Sequence, residues 1–272
     1  MTGLITALSV LPGMNIILWD KTRKPTFDMF EEQKPDYVIL TREDIQKDTI
    51  LAINEFKPAV IIYGVEAPDS IKQYVKLVLV NDIVPKVIFN NIDHNKMILH
   101  KAADTFRFPP GTFDAQYETD IGYLSLSPNP KMVNVLSRDL FMYKLKILGD
   151  VSYPTPAYLG VIQPGKIASF LASTKIYLDS DTDLLLECAA HKTFVLSNVA
   201  NPLFPHYNNT KELFSLLNDF LPNERARRNI TKKAHKAVIS EHTYLDRVME
   251  LGAALQESQW KAEAQKHKTL LV

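Results

Sequence analysis

Short apolar, β-branched runs alternate with amphipathic stretches along most of this chain. In the first 110 residues the runs are 14–19 (MNIILW), 36–40 (DYVIL), 59–64 (AVIIYG) and 86–90 (KVIFN), and each reads as a strand. Residues 25–33 read as a short helix. Thr41 is expected to cap a second helix, with Glu43 and Asp44 in its first turn and Ile45, Ala52, Ile53 and Phe56 on one face. Asp69 is expected to open a third helix that runs through Leu79. The second half restarts the alternation. Strands are predicted at 121–126, 143–148, 175–178 and 194–197. Helices are predicted at 131–141, 165–172, 183–190, 211–221, 224–240 and from Thr243 past Leu255. The polar tail from Lys261 is expected to fray. Apolar strands separated by helices imply a parallel sheet covered on both faces. The pattern therefore predicts an α/β fold of two similar parallel-sheet domains facing a cleft, residues 1–117 and 118–272.

Composition removes whole classes of protein. The 272 residues carry 31 basic and 31 acidic side chains, so the net charge is zero. That argues against a generally basic nucleic-acid coat and leaves room for a local patch. Cys188 is the only cysteine, which excludes a disulfide scaffold and zinc ribbons. No apolar run approaches the ~20 residues of a membrane span. Residues 4–11 are apolar but short, lack a positive flank and run into Pro12-Gly13, so they read as a packed or frayed extension. The expected location is cytoplasmic.

Residues 166–198 (KIASFLASTKIYLDSDTDLLLECAAHKTFVLSN) carry the most information. A helix leads to a strand, an acidic loop, a helix bearing Glu187 and a tight turn into another strand. Asp179 and Glu187 stand eight residues apart, and Glu187 opens Glu-Cys-Ala-Ala-His-Lys-Thr-Phe-Val. This segment resembles the C-terminal half of nucleotide-sugar-dependent glycosyltransferases of the GT-B fold, with their acidic residue and later "EAxACGxPV". The stretch from Glu241-His242-Thr243-Tyr244 through Arg247 and Leu251 is similar to short bacterial and phage members ending in "HTYxxRxxEL". Two positions depart from the family's pattern: Asp179 replaces its first Glu, and Lys192 replaces its turn Gly, where a positive φ is expected.

The resemblance implies two Rossmann-like domains and transfer of a sugar from a nucleotide-sugar donor, with UDP the expected nucleotide, to a hydroxyl acceptor. The donor is a co-substrate, and no tightly bound cofactor or metal is implied. Glu187 would hold the ribose hydroxyls. Asp179 and Lys192 would flank the donor, and Lys131 and Arg138 are candidate cations for the diphosphate, whose departure needs positive charge. The last helix would pack back across the crevice between the domains. An inverting transfer needs a base near the acceptor hydroxyl. Loops after strands in the first half supply Asp93 as base candidate, then His94, with Asp20 and Glu66 as further carboxylates. A retaining transfer needs no such base, and both remain open. Arg225, Arg228, Lys232 and Lys236 are spaced 3, 4 and 4 apart and form one stripe, widened by Arg227, Lys233 and His235. The stripe reads as a solvated face or as a phosphate track for an anionic glycan or DNA. DNA glycosylation on hydroxymethylated bases, as in phage enzymes, is the first alternative, and a non-catalytic two-lobed binding or scaffold protein is the second. No Gly-rich phosphate loop and no G-x-S-x-G elbow occurs. Cys188, inside an apolar helix, reads as core.

Overall fold

The computed structural model describes residues 2–19, 23–64, 68–81, 95–105, 111–179 and 184–270. Packing divides the chain into two units. One is Met1–Lys101 together with Leu245–Val272, and the other is Ala102–Tyr244. The division expected between residues 117 and 118 thus falls inside the second unit. The reason is local: the Ser173 hydroxyl accepts the Asp114 backbone N–H, and Tyr117 packs edge-on against Phe170. Both contacts tie residues 111–117 to the sheet that follows.

The first unit holds a four-stranded parallel sheet in the order β1 (Tyr37–Thr41), β2 (Ala59–Tyr63), β3 (Val75–Asn81), β4 (Lys96–Leu99). Helices α1 (Thr2–Ser9), α2 (Thr26–Gln33) and α3 (Lys47–Phe56) accompany it. Met29, Phe30, Ala52 and Ile53 close over Leu40, Val60 and Ile62. The Asp48 carboxylate accepts the Thr26 backbone N–H at 2.7 Å, so the start of α3 fixes the start of α2.

Three expectations change here. Residues 14–19 form no strand; Leu18 is 75% exposed and α1 precedes them instead. The helix expected from Asp69 stops at Tyr74 as a 3₁₀ turn, because Leu77, Val78, Leu79 and Val80 are all buried and leave no polar helical face. Thr41 ends β1 rather than capping α3: its N–H and hydroxyl both donate to Asp44, in a 3₁₀ turn, and α3 begins only at Lys47. The expected strand at 86–90 lies outside the described residues.

The polar tail forms a helix. After α9 (Tyr244–Leu255), the chain turns at Gln256, whose φ is +63°, into α10 (Ser258–Thr269). Trp260, Ala264 and Lys268 recur every four residues and make one inward face. Trp260 packs on Tyr37 with ring centroids 5.2 Å apart, Ala264 is buried, and the buried Lys268 ammonium pairs with Asp246 of α9.

The second unit is a parallel sheet in the order β6 (Leu145–Leu148), β5 (Thr119–Leu124), β7 (Thr174–Asp179), β8 (Val195–Ser197). Helices α4 (Pro130–Asn134) and α7 (Thr210–Phe220) bring Met132, Leu213 and Leu217 against Ile121, Tyr123, Ile147, Ile176 and Leu178 on one face. On the other face α5 (Ile167–Ala172), α6 (Leu185–Ala190) and α8 (Glu224–Glu241) bring Phe170, Leu171, Cys188, Ala234 and Val238 against Leu124, Leu148, Tyr177 and Val195. Alternate residues of each strand therefore serve opposite cores. The helix expected over 131–141 is α4 continued by a single π turn, Val135–Asp139. Among the described residues no helix is long and apolar enough to cross a membrane.

Gly149, at the end of β6, has φ +138°, and a Cβ there would stand 2.3 Å from the Ser125 carbonyl oxygen at the end of β5. Gly149→Ala is expected to cost roughly 2–4 kcal/mol of stability, through backbone strain and this clash. Chemical denaturation of the variant measures it, and a loss under 1 kcal/mol would show that the β5 and β6 ends move apart freely.

A candidate functional site at the strand ends

The order of the second sheet reverses between β5 and β7. In open parallel sheets, ligands bind at the carboxyl ends of the strands at such a point. Here the ends are tied together. Ser125 donates its hydroxyl to the Val151 carbonyl and accepts the Val151 N–H on its own carbonyl, while Gly149 donates to Gly160. Asp179 ends β7 at 1% exposure; its carboxylate accepts the Ser197 hydroxyl at 3.2 Å, and its carbonyl accepts the Asn198 N–H.

Over these ends lies an open pocket of about 440 Å³, lined by Pro128, Asn129, Pro130, Lys131, Asn198 and Val199. Its two walls follow β5 and β8, and β7 lies between them in the sheet. Of the sequence-predicted donor residues, Lys131 lines the pocket. Asp179 belongs to the buried end of β7 beside it. Glu187 is half-buried on α6 and is not among the lining residues. Arg138 is exposed at the far end of the α4 turn, seven residues or about 10 Å of helical rise from Lys131. Asp20, Glu66, Asp93 and His94 lie outside the described residues, as do residues 180–183 of the acidic loop.

Asn198 and Asn129 were missed in the sequence. The strand-end rule that pointed to Asp20 and Asp93 in the first half applies equally to Asn198, which follows β8 directly. The Asn198 side-chain oxygen is shut off from solvent and meets no hydrogen-bond donor among the described residues. Leaving a buried acceptor unpaired costs about 1–3 kcal/mol.

Charge around α6 is arranged by burial. Cys188 is fully buried, and its thiol is pushed well up, first by desolvation and then by the nearby Asp179 and Glu187 carboxylates. It is a core side chain, not a nucleophile. Tyr207 is raised by burial and by Asp179. His235 of α8 places Nδ1 3.3 and 3.0 Å from the Ala189 and Ala190 carbonyls. Both partners accept, so Nδ1 carries the proton and closes the end of α6. His191, the next residue, is lowered to about 4 by burial and then by His235. Among the described residues no group of three His, Cys, Asp or Glu side chains is placed to hold a metal ion.

Lys192 has φ +59°, so the turn keeps the left-handed geometry expected where the family has Gly. The basic stripe is present on α8. Arg225, Arg228, Lys232 and Lys236 are all exposed, and Glu224 pairs with Arg228. Arg227 does not widen it: its guanidinium donates to the Phe220 and Leu221 carbonyls at the end of α7. His235 turns inward in the same way. Like charges three and four residues apart oppose the helix by a few tenths of a kcal/mol per pair, and cations in its first turns oppose its dipole.

Two parallel four-stranded sheets, the second with a pocket at its strand ends, make an α/β fold of the GT-B type. Residues 130–253 match the glycosyl transferase-like family. That segment is less than half of the chain; the fold is of the GT-B type, like that of the solved structures that follow. TarM of S. aureus is similar in structure at 12% identity, with a TM-score of 0.57. The match covers 84% of this chain, which spans only 57% of TarM. Anabaena HepE, solved in complex with UDP and glucose, is similar at 10% identity over 84% of this chain and 80% of HepE, with a TM-score of 0.58. At such identities the likeness is one of fold. No curated protein matches the chain in sequence.

Two measurements test this account. The His191 ring is neutral in the folded protein down to about pH 4, against 6.5 when free. Unfolded chains therefore bind the extra proton between these values, and stability falls as pH drops from 6.5 to 4, by up to about 3 kcal/mol. His191→Gln is expected to flatten that limb of the stability–pH curve; an unchanged limb would place the acid sensitivity elsewhere. Lys192→Gly relieves the left-handed strain and is expected to raise stability by roughly 0.5–1 kcal/mol. A lower melting temperature would mean that the Lys192 side chain makes a stabilising contact.

Proposed function

We propose that the protein transfers a sugar from a UDP-sugar to a hydroxyl acceptor. The observation that carries this reading is the pocket beside Lys131 at the order reversal of the second sheet, in a domain matching the glycosyl transferase-like family. Its volume of about 440 Å³ suits a small-molecule ligand. Lys131 at the pocket wall would meet the diphosphate, where negative charge grows as the sugar leaves. Glu187 would accept the ribose hydroxyls, and Asp179 would hold the strand end beneath the donor rather than touch it. HepE was solved with UDP and glucose, and a variant of TarM with fondaparinux, α-GlcNAc-glycerol and UDP. These support a UDP-sugar donor and a glycan acceptor here. Asp93, with His94 and Asp20 as alternatives, would serve as base in an inverting reaction. Arg138, well along the helix from Lys131, is the weaker phosphate cation. A carboxylate on the ribose and a cation on the phosphates divide recognition between the nucleoside and the leaving group. Loss of the first should weaken donor binding, whereas loss of the second should also slow transfer.

A thermal-shift series with UDP, GDP, ADP and their sugars tests the reading on wild type, Glu187→Ala and Lys131→Ala. A ligand at 100 times its Kd adds about 2.7 kcal/mol to stability. UDP or a UDP-sugar is expected to stabilise wild type. Glu187→Ala should lose most of that shift, and Lys131→Ala should keep the response to uridine but lose the gain from the phosphates. No shift with any nucleotide in folded wild type would overturn the transferase reading and favour a non-catalytic two-lobed binding protein.

A further inference from the structure

Helix α8 carries a row of exposed cations of which, among the described residues, Arg228 alone is paired with a carboxylate, that of Glu224. Residues 225–240 contain six Lys and Arg and no Asp or Glu, in a chain whose charges balance overall. Arg227 is consumed by the α7 carbonyls. Arg225, Arg228, Lys232, Lys233 and Lys236 remain exposed, and the carboxylates of the helix stand only at its ends, Glu224 and Glu241. Arg225 to Lys236 spans eleven residues, about 16 Å, in steps of about 4.5–6 Å along one side. The opposite side packs through Ala234 and Val238 into the core that Tyr177 and Val195 of the sheet share. Such a row works against the helix through its own repulsion, so fold stability does not account for it.

We propose that this face binds a linear anionic polysaccharide, the polymer whose hydroxyl accepts the sugar; the acceptor role rests on the transferase reading above. Cations in file match acidic groups repeated along a flexible chain, and Arg and Lys both form charge-assisted hydrogen bonds with sulfate, carboxylate or phosphate. The face does not fit a membrane surface. A membrane-bound helix carries large apolar side chains beside its cations, and none of the exposed large apolar residues lies on α8. Nor does it fit duplex DNA best. Duplex binders set their contacts in a broadly basic field, whereas this chain is neutral with a pI near 7.1.

The test measures binding of a fluorescent heparin oligosaccharide to the full chain by anisotropy, from 50 to 300 mM salt. A 20-base-pair duplex, phosphatidylserine vesicles and uncharged dextran are run beside it. Heparin binding is expected to weaken with a log–log salt slope of about 2–3, near 0.7 per neutralised cation. The combined Arg225→Glu, Lys232→Glu, Lys236→Glu variant should bind at least tenfold more weakly, with most of the slope gone. Lys232→Glu alone should melt higher than wild type, because it replaces repulsion with pairs to Arg228 and Lys236 four residues either way. Weaker binding in a more stable protein is an outcome that damage to the fold does not produce. Equal heparin binding by wild type and the triple variant would overturn the proposal. So would tighter binding of the duplex or the vesicles than of heparin. The transferase reading fails separately: if no nucleotide stabilises wild type while heparin binds through the stripe, the surface stands and its role as an acceptor site is withdrawn.

Discussion

A parallel strand has two faces to bury, and every named strand described in this chain pairs in parallel with its neighbours. That constraint orders the rest. Each strand must be followed by a connection that returns the chain to the same edge, and the helix in that connection covers one face. In the second unit Ile121 and Tyr123 serve one core while Leu124 and Tyr177 serve the other. All carboxyl ends then gather on a single edge. Lys131, Asp179 and Asn198 come from positions up to 67 residues apart in sequence, and they meet because each follows or ends a strand of one parallel sheet.

Burial then decides which polar groups on that edge are chemically available. Asp179 keeps its place through the Ser197 hydroxyl and lies beneath the surface. The Cys188 thiol is held protonated and His191 uncharged, so neither offers a nucleophile or a cation near neutral pH. Lys131 stays exposed at the pocket wall. Lys131, in the first turn of α4, thus places a positive charge at the pocket wall, whereas the Asp179 and Glu187 carboxylates stand around α6 and do not line the pocket.

Much of this was legible in the sequence where local pattern and tertiary demand agree. The helices at 210–220 and 224–241 were read within a residue or two, because Leu213 and Leu217, or Ala234 and Val238, recur at helical spacing. Asn209 and Asn223 also supply side-chain caps. The positive φ at Lys192 was anticipated from a missing Gly. The misread elements are those where a single pattern serves two structures. Residues 75–80 are apolar enough for a buried helix, and only their β-branched content points to a strand. The tail from Lys261 looks soluble, since past Trp260 its inward face is one Ala and the stem of a Lys. A charge inside a core is invisible to hydropathy until its partner, Asp246 on the preceding helix, is known. Pocket-lining Asn198 escaped for a related reason. An Asn after a strand is ordinarily a turn residue, and only a neighbouring loop 67 positions earlier makes it part of a cavity wall.

The C-terminal segment shows how the His242-Thr243-Tyr244 and Arg247 motif is built into the packing. Thr243 is fully buried, and Ala103 pairs with it as an isolated bridge, donating to the His242 carbonyl at 2.7 Å and accepting the Tyr244 N–H. Immediately afterwards the chain passes to the first unit. Leu245, Val248 and Leu251 are fully buried at helical spacing, and Arg247, 4% exposed, pairs with Glu250. The His-Thr-Tyr and Arg of the sequence pattern thus mark the exit from one packed unit and the first turn of a helix in another. A bridge to Ala103 and a buried guanidinium fix where the exit occurs and how the helix is rotated. A residue pattern shared for that reason reports how the chain is threaded.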